Sequence, residues 1–462
     1  MKTLRAIVPS TDAFSRAIAL LAALTATIAA AKVESRQAAE LGGARLTCMG
    51  AERQGSAAGV AAYTGKYVGK WPGATNDFGY EPGPYSDEKP LFVITSQTVQ
   101  SYAQYLSAGE QALLKRYPQD YRIPVYSSHR DFRFDDKACV VAKKNAVSAE
   151  VVHDGKGVSG LGGAVPFPIP QNGLEAIWNV ATAHRAWSES VTADTAVVYA
   201  NSAIGWGKSR FVDMYPYADA QKEMSLQDKV AAYFYITYLA PERDRGRTAV
   251  GYAPMDFSKD SLQSWEYMPG TRRVRQSPEV GFDYPVPPAG MHVSDEDSLY
   301  NGSPERFEWA LLGKKELYVP YHNFRINDPA IKYSQLLHPH TINPDYERYE
   351  LHRVWVIEGR LKPGLRHIYG RRLIYADEDT WLPLWADNYD TRGELWRVNF
   401  VNWFYSQESS TFHRGVTIYH DLRAGAYEAT YLVNEAGAGW WRLNQKFPLS
   451  MFTPEAAARG GH

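Results

Sequence analysis

The feature that most restricts how this chain can fold is a run of four strand-like segments at hairpin spacing. Tyr349-Glu-Leu-His-Arg-Val-Trp-Val-Ile-Glu358 is followed by Lys362-Pro-Gly364 and then Arg366-His-Ile-Tyr-Gly-Arg-Arg-Leu-Ile-Tyr375. Asp377-Glu-Asp379 leads into Trp381-Leu-Pro-Leu-Trp385, and Asp390-Thr-Arg-Gly393 leads into Glu394-Leu-Trp-Arg-Val398. β-Branched and aromatic runs separated by short turn-forming stretches specify an antiparallel meander, because so short a loop can only return the chain alongside itself. The triplet Asp377, Glu378 and Asp379 falls on one of these turns and is expected in water. Tyr233-Phe-Tyr-Ile-Thr-Tyr238 and residues 262–268 extend the strand pattern over residues 195–450. The fold class is mainly β (α+β).

Helices are expected upstream of the strands. Thr95 or Ser96 can cap a short one in which Val99, Tyr102, Ala103 and Leu106 recur at helical spacing. Ser107-Ala-Gly-Glu110 fits a capping box opening a second, which Pro118 ends, and Asp135 or Asp136 can start a third through Asn145. Asn172 caps a fourth, with Leu174, Ile177, Trp178 and Ala181 on one apolar face. Residues 32–90, rich in Gly, Ala and Pro, lack periodicity and read as an extended irregular arm laid on a single large domain, 91–462.

Residues 1–31 read as a secretory signal peptide. Lys2, Arg5 and Arg16 precede an uncharged run, 17–31, that ends in Ala29-Ala-Ala31, where the cut is expected. The run is too short to span a bilayer, so the mature chain is expected in the periplasm of a Gram-negative cell. Its 50 basic and 51 acidic residues leave a net charge of -1, which gives no electrostatic reason to expect nucleic acid or a strongly anionic membrane as partner. Aromatic residues make up 13% of the chain, a share that suits both sheet packing and contact with lipid or carbohydrate. Cys48 and Cys139 enter an oxidising compartment, where one disulfide is possible, yet spacing alone cannot bring their Cα atoms together.

Catalytic signatures fail one by one. Gly157-Val-Ser159-Gly-Leu161 lacks the closing glycine of a nucleophile elbow. Gly207-Lys208-Ser209 resembles the end of a phosphate loop, but Ser202 stands where the opening glycine belongs. His338-Pro-His340, with His322 and His352, lacks a third ligand at a familiar spacing. No catalytic residue, metal ligand or cofactor is assigned. More informative is Arg272-Arg273-Val-Arg275 after Trp265-Glu-Tyr-Met-Pro-Gly270. Alternation puts Arg273 and Arg275 on one face of a strand, where two guanidiniums can hold a carboxylate or phosphate or pair with acids across the sheet.

That phrase, Trp265-x-Tyr-x-Pro-Gly-x-Arg-Arg-Val-Arg275, resembles one in periplasmic proteins related to the lipoprotein carrier LolA and its acceptor LolB. Over nearly the whole mature chain the resemblance is to the bacterial family designated domain of unknown function 1329. It is carried by Leu41-Gly-Gly, Gly50-Ala-Glu-Arg53, Lys89-Pro-Leu-Phe92, Pro166-Phe-Pro-Ile-Pro-Gln-Asn-Gly-Leu-Glu-Ala-Ile-Trp178, Asn301-Gly-Ser-Pro304 and Arg348-Tyr-Glu-Leu-His-Arg-Val-Trp355. Cys48 and Cys139 are not among the family's residues. The resemblance implies a LolA-like incomplete β-barrel, a strongly curved antiparallel sheet with helices covering its concave face. It implies a periplasmic carrier or chaperone for a hydrophobic, lipid-like ligand on an export route, with an outer-membrane porin-like protein and an inner-membrane efflux component as partners. Strand alternation then names Trp265, Tyr267, Arg273, Arg275, Trp355 and Tyr375 as candidate ligand-binding residues. Two other readings are an adaptor that docks an outer-membrane channel through the arm, and a hydrolase acting on lipid or glycan, supported only by scattered His and acidic residues.

Overall fold

The computed structural model describes residues 33–66, 80–220, 230–277, 281–406, 409–436 and 441–460; the expected signal peptide lies outside them. The strands are β1 (Phe92–Ile94), β2 (Ile123–Val125), β3 (Glu150–Val152), β4 (Gly157–Ser159), β5 (Ser188–Val198) and β6 (Ile204–Met214). There follow β7 (Val230–Ala240), β8 (Thr248–Pro254), β9 (Gln263–Met268), β10 (Arg273–Gln276), β11 (Phe307–Pro320) and β12 (Tyr349–Leu361). The last are β13 (Tyr369–Asp377), β14 (Pro383–Asp390), β15 (Leu395–Ser406), β16 (Thr411–Asp421), β17 (Ala426–Leu432) and β18 (Arg442–Leu443). The principal helices are α1 (Ala108–Arg116), α2 (Asp136–Ser148), α3 (Gly173–Ala181) and α4 (Pro454–Gly460).

The meander forms as its turns dictate: β12 to β17 pair consecutively and antiparallel. β17 then pairs with β5, and β5 to β10 continue as a second meander, giving one 16-stranded sheet. β11 pairs with β12, and β2 meets β12 in parallel at Tyr349 and Val125. So large a sheet twists and coils, and bulges bend it further at Leu311/Gly313, Val401/Trp403 and Ala429/Leu432. It is curved and, among the described residues, does not close into a barrel.

Alternation divides the sheet into two faces. Leu373, Asp387 and Val398 share one lateral row, and α1 lies on that face, where the Gly109 N–H donates to Asp387 at 3.1 Å. The Ser107 capping box has both of its bonds: the Glu110 N–H donates to the Ser107 hydroxyl at 3.0 Å and the Ser107 N–H to the Glu110 carboxylate at 2.6 Å. The opposite face carries Trp355, Asn388 and Asn399. There the indole of Trp381, stacked on Trp355, donates to the Met49 carbonyl at 3.1 Å, so the arm lies on this side. Arm residues Cys48 and Met49 belong to the same core as Ile357, Trp381 and Leu432. The arm is irregular over its described residues, apart from the helix Ser35–Ala38 and a bridge between Leu46 and Glu52.

Local details depart from expectation where long-range contacts intervene. The first expected helix is two short pieces, Val99–Tyr102 and a 3₁₀ turn Ala103–Tyr105. Gly207-Lys208-Ser209 lies inside β6. A disulfide joins Cys48 to Cys139, with Cα atoms 5.1 Å apart. The largest departure is at Asp377, Glu378 and Asp379. Expected in water, they are 1%, 2% and 1% exposed, because residues 46–63 and 126–134 fold over the turn. Asp379 takes a two-pronged ion pair from Arg130, Glu378 pairs with Arg353 and Lys314, and Asp377 accepts from Tyr321 and Thr380.

Candidate ligand cavity

The face that carries the arm is not fully covered beyond β17. There β6 to β9 present the row Asp213, Phe234, Gly251 and Ser264, and the next row Phe211, Ile236, Ala249 and Glu266. Gly251 permits this surface, since a Cβ on it would lie 2.6 Å from the Phe234 ring. Residues 284–288 and 292–294 cross above it, and between them lies a cavity of about 260 Å³. Its walls are mostly apolar, with Phe211, Phe234, Ile236, Ala249 and Val286 among them.

Fixed anchors hold the covering segment. The ring of His292 hydrogen-bonds to Glu428 at 2.7 Å, and the buried Glu296 accepts from Asn399 and the Tyr369 hydroxyl, each at 2.7 Å. Arg414 reaches up from β16 to Asp297 at 2.6 Å and to the Ser298 hydroxyl at 2.7 Å. At one end of the cavity Arg247 pairs with Glu266, and its guanidinium lies over the ring of Tyr238. At the other end is Asp213. Burial, with Glu189 directly opposite across β5, pushes its carboxyl well above the ordinary range.

A second cluster has ligand-like geometry. Single donor atoms of His352, Asp377 and Asp379 lie within 4.8 Å of one another. Most of that donor set is already engaged: both Asp379 oxygens face Arg130, and His352 Nε2 bonds to Glu350 at 3.1 Å. Asp377 Oδ1 lacks a hydrogen-bond partner among the described residues, and burial followed by the Asp379 charge pushes Asp377 up to about 7. This is an ion-paired seam between arm and sheet.

A family model described as "Protein of unknown function (DUF1329)" matches residues 93–458. The Pseudomonas aeruginosa protein PA3922 is 38% identical over 448 residues, covering 96% of this chain and 97% of that protein. The chain belongs to the DUF1329 family. Among solved structures, this DUF1329 chain is similar to a DUF1329 family protein from Desulfovibrio piger, with 14% identity and a TM-score of 0.40 over 59% of this chain and 92% of that one. It is also similar to the LolA superfamily protein NE2245 from Nitrosomonas europaea, with 10% identity and a TM-score of 0.38 over 62% of this chain and all (100%) of that one.

The six residues named from the DUF1329 sequence are not brought together. Trp265 and Tyr267 point away from the cavity into a cluster with Val250, Phe452 and Ala457 of α4, while their neighbours Ser264 and Glu266 line it. Tyr375 is buried on the α1 face, with its hydroxyl donating to Asp387 at 3.3 Å. Trp355 is on the cavity's face of the sheet but lies against Trp381 with Lys314 over its ring. Arg273 and Arg275 are exposed on edge strand β10, and Arg275 stands opposite Glu266, on the cavity side. The residues that sequence reading missed are Phe234, Ile236 and Asp213. Alternation in Tyr233-Phe-Tyr-Ile-Thr-Tyr238 was the available signal, but both of its faces are aromatic or aliphatic.

Proposed function

We propose that this DUF1329 protein is a periplasmic carrier or chaperone that holds one hydrophobic, lipid-like ligand in the cavity under residues 284–294. The apolar cavity carries this reading. Its volume of about 260 Å³ is just below the roughly 300–1,000 Å³ typical of drug-sized sites, which favours a single chain over a multi-chain lipid. Each methylene buried there contributes about 0.8 kcal/mol. The expected signal peptide supports the compartment, and among the described residues no helix is long and apolar enough to cross a membrane. The family resemblance supplies the wider role: passage of a hydrophobic compound toward the outer membrane, handed on to a porin-like protein and fed by an inner-membrane efflux component. The adaptor reading gains less, since residues 46–63 of the arm are tied into the body. The acids behind the hydrolase reading are largely engaged in ion pairs.

The test is native mass spectrometry with lipid extraction on protein purified from periplasm without detergent. A discrete lipid-sized adduct is expected, and Ala249→Trp, which fills the cavity from its wall, should abolish it without lowering the melting temperature. Protein that stays empty after incubation with membrane lipids would overturn the carrier reading.

A further inference from the structure

We infer that the cavity selects an amphiphile whose polar end is an ammonium group and discriminates against a fatty-acid carboxylate of the same chain length. This deepens the carrier reading and rests on it. The argument is one of charge at the Asp213 end. Three carboxyl groups meet there, those of Glu189, Asp213 and Asp297, and two guanidinium groups face them, those of Arg185 and Arg414. Arg414 is committed: it contacts Asp297, Ser298, the Tyr431 hydroxyl and, at 3.5 Å, Glu189. Arg185 lies over the ring of Tyr215 and acts on both Glu189 and Asp213. His413, 3.7 Å from Glu189, adds no charge, because burial and then Arg414 hold its imidazole well below the usual range.

His292 also acts on Asp297 but is bonded to Glu428, so among the described residues two guanidiniums serve three carboxyl groups and one carboxyl is left without an ion-pair partner. Asp213 is where the deficit falls. It is 9% exposed and lines the cavity, and among the described residues its carboxyl group has no side-chain hydrogen bond or ion pair. It keeps its proton because a third carboxylate without a partner would be a buried, uncompensated charge. A primary amine entering as its free base takes that proton and leaves an ammonium–carboxylate pair, a charge-assisted bond at a largely buried carboxyl group. A carboxylate ligand would instead bring in a negative charge for which the cluster, already balanced with Asp213 protonated, has no free cation. An alcohol can only exchange ordinary hydrogen bonds with the neutral acid.

The experiment is displacement of N-phenyl-1-naphthylamine from the full mature protein by decylamine, decanol and decanoate. Decylamine is expected to bind at least about tenfold more tightly than decanoate, the scale of one hydrogen bond to a charged group. Asp213→Asn, which keeps the shape and removes the acid, should bring decylamine to within about threefold of decanol, since only a neutral hydrogen bond then remains. Decanoate binding as tightly as decylamine, or an amine preference that survives Asp213→Asn, would overturn the inference and leave the carrier reading standing. Failure of all three to displace the probe would overturn both. Should Asp213→Asn not fold, the wild-type ranking decides alone.

Discussion

Replacing Arg130 tests whether the arm is part of the fold or an appendage on it. Its buried guanidinium meets the equally buried Asp379 carboxylate through two parallel bonds of 2.7 Å. It also donates to two arm carbonyls, Ala61 at 3.0 Å and Glu52 at 2.8 Å. Arg130→Met removes the cation and leaves Asp379 beside Asp377 in a buried pocket. Breaking one side of such a pair typically costs about 3–5 kcal/mol, because the remaining charge is stranded. Removing both charges together, in Arg130→Met/Asp379→Leu, should restore part of that loss, since a buried pair and an apolar replacement are often close in energy. The expected coupling in the double-mutant cycle is at least about 1 kcal/mol. Urea unfolding followed by tryptophan fluorescence reads it, because Trp355 and Trp381 lie under the arm, and limited proteolysis should open residues 46–63 in the single variant. A single variant within about 1 kcal/mol of wild type, or strictly additive effects, would refute the reasoning.

Three further outcomes follow from the same seam. Asp377, pushed up to about 7 in the fold from an ordinary value of 3.8, holds a proton that the unfolded chain releases. The folded state binds more protons, so this group makes stability fall as pH rises from about 4 to about 7, by up to about 1.4 kcal/mol per pH unit. Asp377→Asn should flatten that limb in melting temperatures taken across the range, and an unchanged slope would count against it. Reducing the disulfide releases a constraint between residues 91 apart in sequence. The chain-entropy model puts its contribution at about 4–5 kcal/mol, and an unfolding midpoint that does not move with dithiothreitol would contradict this. Gly50 has φ +91°, and a Cβ there would lie 1.8 Å from the Pro168 carbonyl oxygen. Gly50→Ala should therefore destabilise by about 1–3 kcal/mol on thermal melting, the scale of overpacking; an unaffected melt would show that the arm can shift freely.

How much was legible depended on how far away the deciding contact lay. The meander β12 to β15 was readable because strands and turns are adjacent in sequence, and so were the caps at Ser107, Asp135 and Asn172, each completed within three residues. The facing of β9 was not. One of its faces lines the cavity and the other packs on the C-terminal segment: Trp265 and Tyr267 turn from the cavity, where α4, nearly two hundred residues downstream, supplies an apolar partner for them. The triplet 377–379 misled for the same reason. Three acids on a hairpin turn belong in water unless cations arrive from elsewhere, and Arg130 is 249 residues away in the chain.

The position of the cavity follows from where cover runs out. Every residue of β16 is buried, as is nearly all of β14, so the central strands are closed on both faces by arm, helices and turns. Strand β7 is otherwise half-buried along most of its length, although Tyr233 to Tyr238 are aromatic or aliphatic at five of six positions. A sheet selected for stability alone would bring residues 284–294 down onto that surface, since burying such side chains stabilises by about 25 cal/mol per Å². Instead His292 and Glu296 hold the segment to Glu428 on β17 and Asn399 on β15, three or more strands away from β7. The covering segment is thus braced from the side, which leaves apolar surface beneath it for a guest to bury.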